Sequence, residues 1–274
     1  MSFLTIVLLF FVGCVGGWFS GLLGIGGGVI YVVVFNYILN KINAIQDSHI
    51  QVQLILLNSI FAIFFAALSG CIKQYKSNNF FLKEVLLAGI PAVVFSLGFT
   101  YFIHQWKGYN KESFLLVFTF ALVPLILKFF SKKKDITTND ISPKLYSIGG
   151  GISGTVTAFT GLGGGVVLNP FLHGIFNLEL KKTLSIALGN MLLSTFFITL
   201  YHIISNDFKT IEVSGMFHGI YFPMVLPVAL GNMLFSPLGV ATAQRLEDRQ
   251  IKWIFIVFTS IIIFHNLYGI FVKS

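Results

Sequence analysis

The sequence predicts an all-α polytopic membrane protein built from two inverted-topology repeats, with about 8–10 membrane helical segments by the length a bilayer demands. Three observations carry that expectation. Of 274 residues, 55% are hydrophobic and only 10% are charged. A soluble domain is about 25% charged, so a chain of this size has too few charges to wet a water-facing surface. A glycine stretch occurs twice, once in each half. The lysines and arginines are placed as if the two halves face opposite ways.

In chain order, the apolar run from Phe3 to Val12 has no basic residue before it and no small-x-small cleavage site. It therefore reads as a first membrane helix rather than a removed signal. Segments able to enter a bilayer run over 3–20, 28–40, 48–71, 82–104, 112–130, 145–160, 165–177, 183–204, 215–235 and 250–271. A full span needs about 20 residues, and 28–40 and 165–177 fall short of that. Each of these follows a glycine break, so each break is expected to join a helix to a short half-helix in a broken, re-entrant-like hairpin. The one hydrophilic stretch, 131–144, carries Lys132, Lys133, Lys134, Asp135, Asp140 and Pro143. It divides the chain into a first repeat (1–130), a linker (131–144) and a second repeat (145–274).

The first glycine stretch reads Gly21-Leu-Leu-Gly24-Ile-Gly26-Gly27-Gly28, the second Thr160-Gly161-Leu162-Gly163-Gly164-Gly165. Gly24, Gly26, Gly27 and Gly28 align with Gly161, Gly163, Gly164 and Gly165. Glycine costs about 1 kcal/mol relative to alanine inside a helix, so neither cluster continues one. A break at membrane depth is tolerated where it is buried in protein or lines a cavity. Matched breaks in two halves point to a transporter's binding site. Downstream, Asn58 and Asn190 are expected to occupy matching positions in the next long helix of each half.

The basic residues arbitrate topology. If each glycine-broken segment goes in and returns, the 18 lysines and arginines split 13 to 5 across the membrane. If each crosses once, they split 10 to 8. The positive-inside rule favours the first arrangement. It puts the linker in the cytoplasm, both termini outside, and the halves in opposite orientations. The net charge of +8 is explained by these loops and does not point to nucleic acid.

A helix that starts at a glycine break presents several unpaired N–H groups and the positive end of its dipole. Together these form an anion site that needs no basic side chain. Gly24, Gly26, Gly27, Gly28, Gly161, Gly163, Gly164 and Gly165 are the candidate substrate-binding backbone, with Asn58, Ser59 and Asn190 as candidate side chains. An alternative for these glycines is close helix packing, and for the asparagines an interhelical clamp. All ten acids fall in loops or at segment ends, so no mid-membrane carboxylate offers a proton or sodium relay. Cys14 and Cys71 lack metal-ligand spacing, and no metal or cofactor is expected. Gly151-Ile152-Ser153-Gly154 matches the short serine motif of rhomboid intramembrane proteases. That chemistry needs a histidine beside Ser153, and nothing in the sequence selects one.

The duplicated motifs resemble the sulfite exporter TauE/SafE family. The likeness rests on Gly21 to Gly28, on Phe159 to Gly165 followed by Val-Val-Leu-Asn-Pro170, and on Ala187-Leu-Gly189-Asn190-Met. The first half departs from it by lacking the proline after its glycines. The resemblance implies an inner-membrane permease for small sulfur anions such as sulfite, sulfoacetate or related organosulfonates. The partners expected are that small anion and the lipid bilayer, and a homo-oligomer is compatible. Other readings weighed are a carrier of another anion or a lipid phosphate, a serine protease, and a non-transporting membrane protein.

Overall fold

The computed structural model describes residues 1–40, 47–106, 108–109, 113, 138, 140–205, 208, 213–258 and 260. The expected segment 112–130, most of the linker, and the end of 250–271 with His265 lie outside these. The described helices are α1 (Phe3–Leu23), α2 (Gly28–Asn40), α3 (Ser48–Lys76), α4 (Leu82–Gln105), α5 (Pro143–Thr160), α6 (Gly165–Asn169), α7 (Leu180–Ser205) and α8 (Phe222–Arg245). Residues 248–258 are helical as well. α6 runs on into a π-helical turn, Pro170–Ile175. Five helices, α1, α3, α4, α7 and α8, are long and apolar enough to cross a bilayer.

The two halves begin alike. α1 ends at Gly24, which is left-handed (φ 61°) and returns its N–H to the Ser20 carbonyl; α5 ends at Gly161, also left-handed (φ 66°), with its N–H on Thr157. Such a cap suits glycine, which has no Cβ to clash. After each cap the chain turns and starts a new helix within a few residues, as the glycine stretches predict.

Helix directions follow from which residues meet. Gly13, Gly17 and Gly21 of α1 lie against Val228, Asn232 and Ser236 of α8, so these helices run parallel. Asn232 and Ser236 donate to the carbonyls of Ala62 and Ala66 of α3, both at 2.7 Å, so α3 runs the same way. Gly150 and Gly154 of α5 meet Ala88 and Ala92 of α4, while Gly89 of α4 meets Leu193 and Gly189 of α7 meets Val85. α4, α5 and α7 are thus mutually parallel. They oppose the first set, because the start of α3 meets the end of α4 through His49 and the His104 carbonyl. α1 and α5 open their repeats in opposite directions, which is the inverted topology. Because α1 and α3 are parallel, α2 must return toward the side from which α1 came.

The halves are interleaved rather than side by side. α1 packs chiefly on α8 of the second half, and α5 on α4 of the first. Glycines four residues apart allow this by letting the backbones touch. A Cβ on Gly13, Gly21, Gly150, Gly154 or Gly239 would overlap a carbonyl oxygen of the facing helix.

One end of the bundle is basic. The ends of α3 and α8 and the starts of α4, α5 and α7 meet there. Lys182 pairs with Glu84 at 2.8 Å and Lys181 donates to the Gln244 carbonyl at 2.9 Å. Every described lysine and arginine, from Lys73 to Lys252, lies at or near this end, in keeping with the in-and-return count. The sequence expected a membrane segment from residue 215. Instead β1 (Met216–Phe217) and β2 (Ile220–Tyr221) form an antiparallel hairpin, with Met216 opposite Tyr221, before α8 begins. Left-handed backbone at Gly215, His218 and Gly219 forbids a helix there, and Pro223 suits the first turn of α8.

Candidate substrate site at the crossed glycine loops

The two glycine loops cross each other at mid-bundle. Gly26 and Gly163 both contact Ile63, at the middle of α3, and Met191, near the middle of α7. A Cβ on Gly28 would stand 2.7 Å from the Gly161 carbonyl oxygen, and one on Gly165 would overlap the Gly24 carbonyl oxygen. Each loop therefore packs the start of its short helix against the cap of the other. All eight candidate glycines are buried and together. Ser59 donates to the Gly161 carbonyl at 2.9 Å, and Asn169 reaches across to donate to the Leu23 carbonyl at 2.6 Å.

Among the described residues, the N–H groups of Gly26, Gly27, Gly28 and Val29 meet no acceptor, nor do those of Gly163, Gly164 and Val166. Three buried side-chain atoms flanking the loops also lack a partner: Ser20 Oγ, Asn169 Oδ1 and Asn190 Oδ1. Buried unpaired polar groups are rare, and each calls for an explanation.

The asparagines do not pair as the sequence suggests. Gly161 lies against Leu56 (Cα 3.3 Å) as Gly24 lies against Leu184 (Cα 3.3 Å). With Ile63 answering Met191, the long helices match at a shift of 128 residues (184 less 56, and 191 less 63). The expected Asn58–Asn190 match is out by four residues, one helical turn. A four-residue slip keeps the same helix face, so apolar periodicity cannot detect it. The two amides accordingly do different work. Asn58 donates to the Leu54 and Gly219 carbonyls and accepts from the Tyr221 N–H, all at 2.8 Å, and so anchors the hairpin. Asn190 donates to Ser153 Oγ at 2.8 Å beside the second loop. Ser153, the serine of the rhomboid-like tetrapeptide, is fully buried with the Asn190 amide as its partner.

Tyr31 packs against the first glycine loop, and the sequence reading does not single it out. Its hydroxyl donates to Asn232 Oδ1, and its ring fills the space that a side chain at Gly16 or Gly27 would need. The signal was present in those two glycines, but only the fold brings Gly16, Gly27 and Asn232 around one ring. Tyr31→Phe leaves the buried Asn232 oxygen without its donor. We expect a loss of about 1–3 kcal/mol, read as a lowered melting temperature in detergent.

The family model of the sulfite exporter TauE/SafE matches residues 9–265. The chain belongs to the sulfite exporter TauE/SafE family. The chain is 27% identical over 273 residues to a probable membrane transporter protein of Haemophilus influenzae, covering 95% of this chain and 97% of that one. It is 23% identical over 253 residues to a probable membrane transporter protein of Methanocaldococcus jannaschii, covering 91% and 90%. No solved structure matches. This TauE/SafE protein is a multi-pass membrane transporter, and its crossed glycine loops are the segments on which the family resemblance rested.

Proposed function

We propose that this protein exports small sulfur oxyanions, sulfite or organosulfonates such as sulfoacetate, across the cytoplasmic membrane. The observation that carries this reading is the pair of crossed glycine loops with unpaired N–H groups at mid-bundle. Those groups point positive dipole ends into one buried place, which suits an anion without a basic side chain. Asn190 and Ser59 stand beside the second loop and would orient the oxyanion, whereas Asn58 serves the hairpin. The basic end faces the cytoplasm, as the positive-inside rule directs, so both termini face outward and the linker 131–144 inward. Since α1 packs with α8 and α5 with α4, alternating access moves these two packed pairs against each other and parts the loops. A negative interior favours anion exit by about 2.3 kcal/mol per charge per 100 mV.

The test is a thermal-shift panel on detergent-purified protein with sulfite, thiosulfate, sulfate, sulfoacetate, phosphate and chloride. A ligand at 100 times its Kd stabilises by about 2.7 kcal/mol. A sulfur anion should raise the melting temperature selectively, and Asn190→Ala should weaken that binding at least tenfold. Stabilisation by a long-chain polyprenyl phosphate alone would overturn the sulfur-anion reading in favour of a lipid carrier.

A further inference from the structure

A second polar cluster lies at the end of the bundle away from the basic residues. It sits where the start of α3 meets the ends of α4 and α7. His49 Nδ1 faces the Tyr109 carbonyl at 3.1 Å. His49 Nε2 faces the Gln53 amide nitrogen at 2.8 Å. Gln53 Oε1 faces His104 Nδ1 at 3.0 Å. Gln53, Thr100 and His104 line a cavity of about 20 Å3 together with His202 of α7. That space holds about one water. It is too small for a sulfonate, and aliphatic side chains complete its lining.

The cluster is a chain from water to the interior. Asp47 is exposed, His49 and His104 are half-buried, and Gln53 and His202 are buried. It is also tied to the second glycine loop. The Tyr109 hydroxyl donates to the Phe159 carbonyl, two residues before Gly161. Leu56 and Ala158 wall the cavity, and Leu56 touches Gly161.

We propose that this cluster is the binding site of a coupling proton, taken up from the outer side as an anion leaves. The inference rests on the transporter reading above. Imidazole is the side chain that titrates near neutral pH, and every described acid stands at a helix end. In the neutral cluster the contacts are complementary. His49 donates through Nδ1 to Tyr109, accepts at Nε2 from Gln53, and Gln53 accepts from His104. One proton added from water at His49 Nε2 turns that acceptor into a donor. The Gln53 contact is then lost, and the His104 carbonyl, already 3.3 Å from Nε2, becomes the acceptor. No covalent bond changes except the new N–H. The Gln53 amide loses its acceptor and turns, which disturbs its contact with His104 at the wall shared with the glycine loop.

The groups facing the cluster are few among the described residues. From α3, Asp47 accepts from the His49 N–H at 2.8 Å. From α7, His202 packs against Tyr201 and Phe208. His104 meets Phe208 edge-on. From the hairpin, His218 bonds to the Ile203 carbonyl at 2.9 Å.

The test uses the full chain in proteoliposomes loaded with sulfoacetate and a pH-sensitive dye. Sulfoacetate stays ionised near neutral pH because its carboxyl titrates near the ordinary carboxylate value, so lumenal acidification reports protons carried by the protein. We expect the lumen to acidify as the anion leaves. Gln53→Leu and His104→Gln should each cut the proton signal per anion at least tenfold. His49→Gln, at the half-buried end, serves if either of these fails to assemble, with the same loss expected. Sulfoacetate efflux without acidification overturns the proton site and leaves transport standing, as does an unchanged proton signal per anion in the variants. If none of the sulfur anions moves in the wild type, the transport reading falls and the proton site falls with it.

Discussion

Gly165→Ala should abolish assembly of the transporter, while Gly98→Ala should leave it intact. A Cβ at position 165 overlaps the Gly24 carbonyl oxygen, and the next nearest atoms, the Gly24 carbonyl carbon at 2.9 Å and Ile25 Cα at 3.2 Å, are also backbone. Backbone cannot swing aside as a side chain can. Relief requires the two loops to separate, which undoes the crossing that joins the repeats. Overpacking usually costs about 1–3 kcal/mol; with backbone as the obstacle we expect the upper end or more. Gly98 lies within α4 with nothing within 4 Å of its would-be Cβ. There alanine gains about 1 kcal/mol of helix propensity. Monodisperse yield and melting temperature in detergent, measured side by side, check both. Equal behaviour of the two variants would mean that the loops do not touch as described.

Asn58→Leu should be the most damaging single change outside the loops. The side chain is fully buried, and each of its three hydrogen bonds ends on backbone. The Leu54 carbonyl keeps its place in the α3 ladder, but the Gly219 carbonyl and the Tyr221 N–H lose their partner. Each buried orphan costs about 1–3 kcal/mol, so for the two we expect a loss of about 2–6 kcal/mol. A binding role predicts something else: an unchanged melting temperature with weakened anion stabilisation. Measuring melting with and without a stabilising anion separates the two. We expect the large drop in the unliganded protein.

The sequence alone determined the class, the repeat and the places where helices break. Low charge content forces apolar surface into lipid, and glycine clusters end helices wherever they stand. For the same reason Gly24 and Gly161 were legible as equivalent breaks before any contact was known. The in-and-return path of the broken segments was also legible, because lysine and arginine record which side of the membrane a loop occupies. The family likeness was carried by those same glycines.

What only the tertiary structure decided depends on distant partners. Asn58 and Asn190 look interchangeable in sequence, yet a one-turn shift sends one to the hairpin and the other to Ser153. The hairpin itself was hidden in an apolar run, since left-handed turns at His218 and Gly219 leave no hydropathy signal. His49, His104 and His202 lie on three different helices, and only the fold brings them around Gln53. Whether α1 packs on its own half or on α8 depends on side-chain fit between segments over 200 residues apart. Local pattern records what each residue prefers, but only packing selects which of several suitable partners it meets.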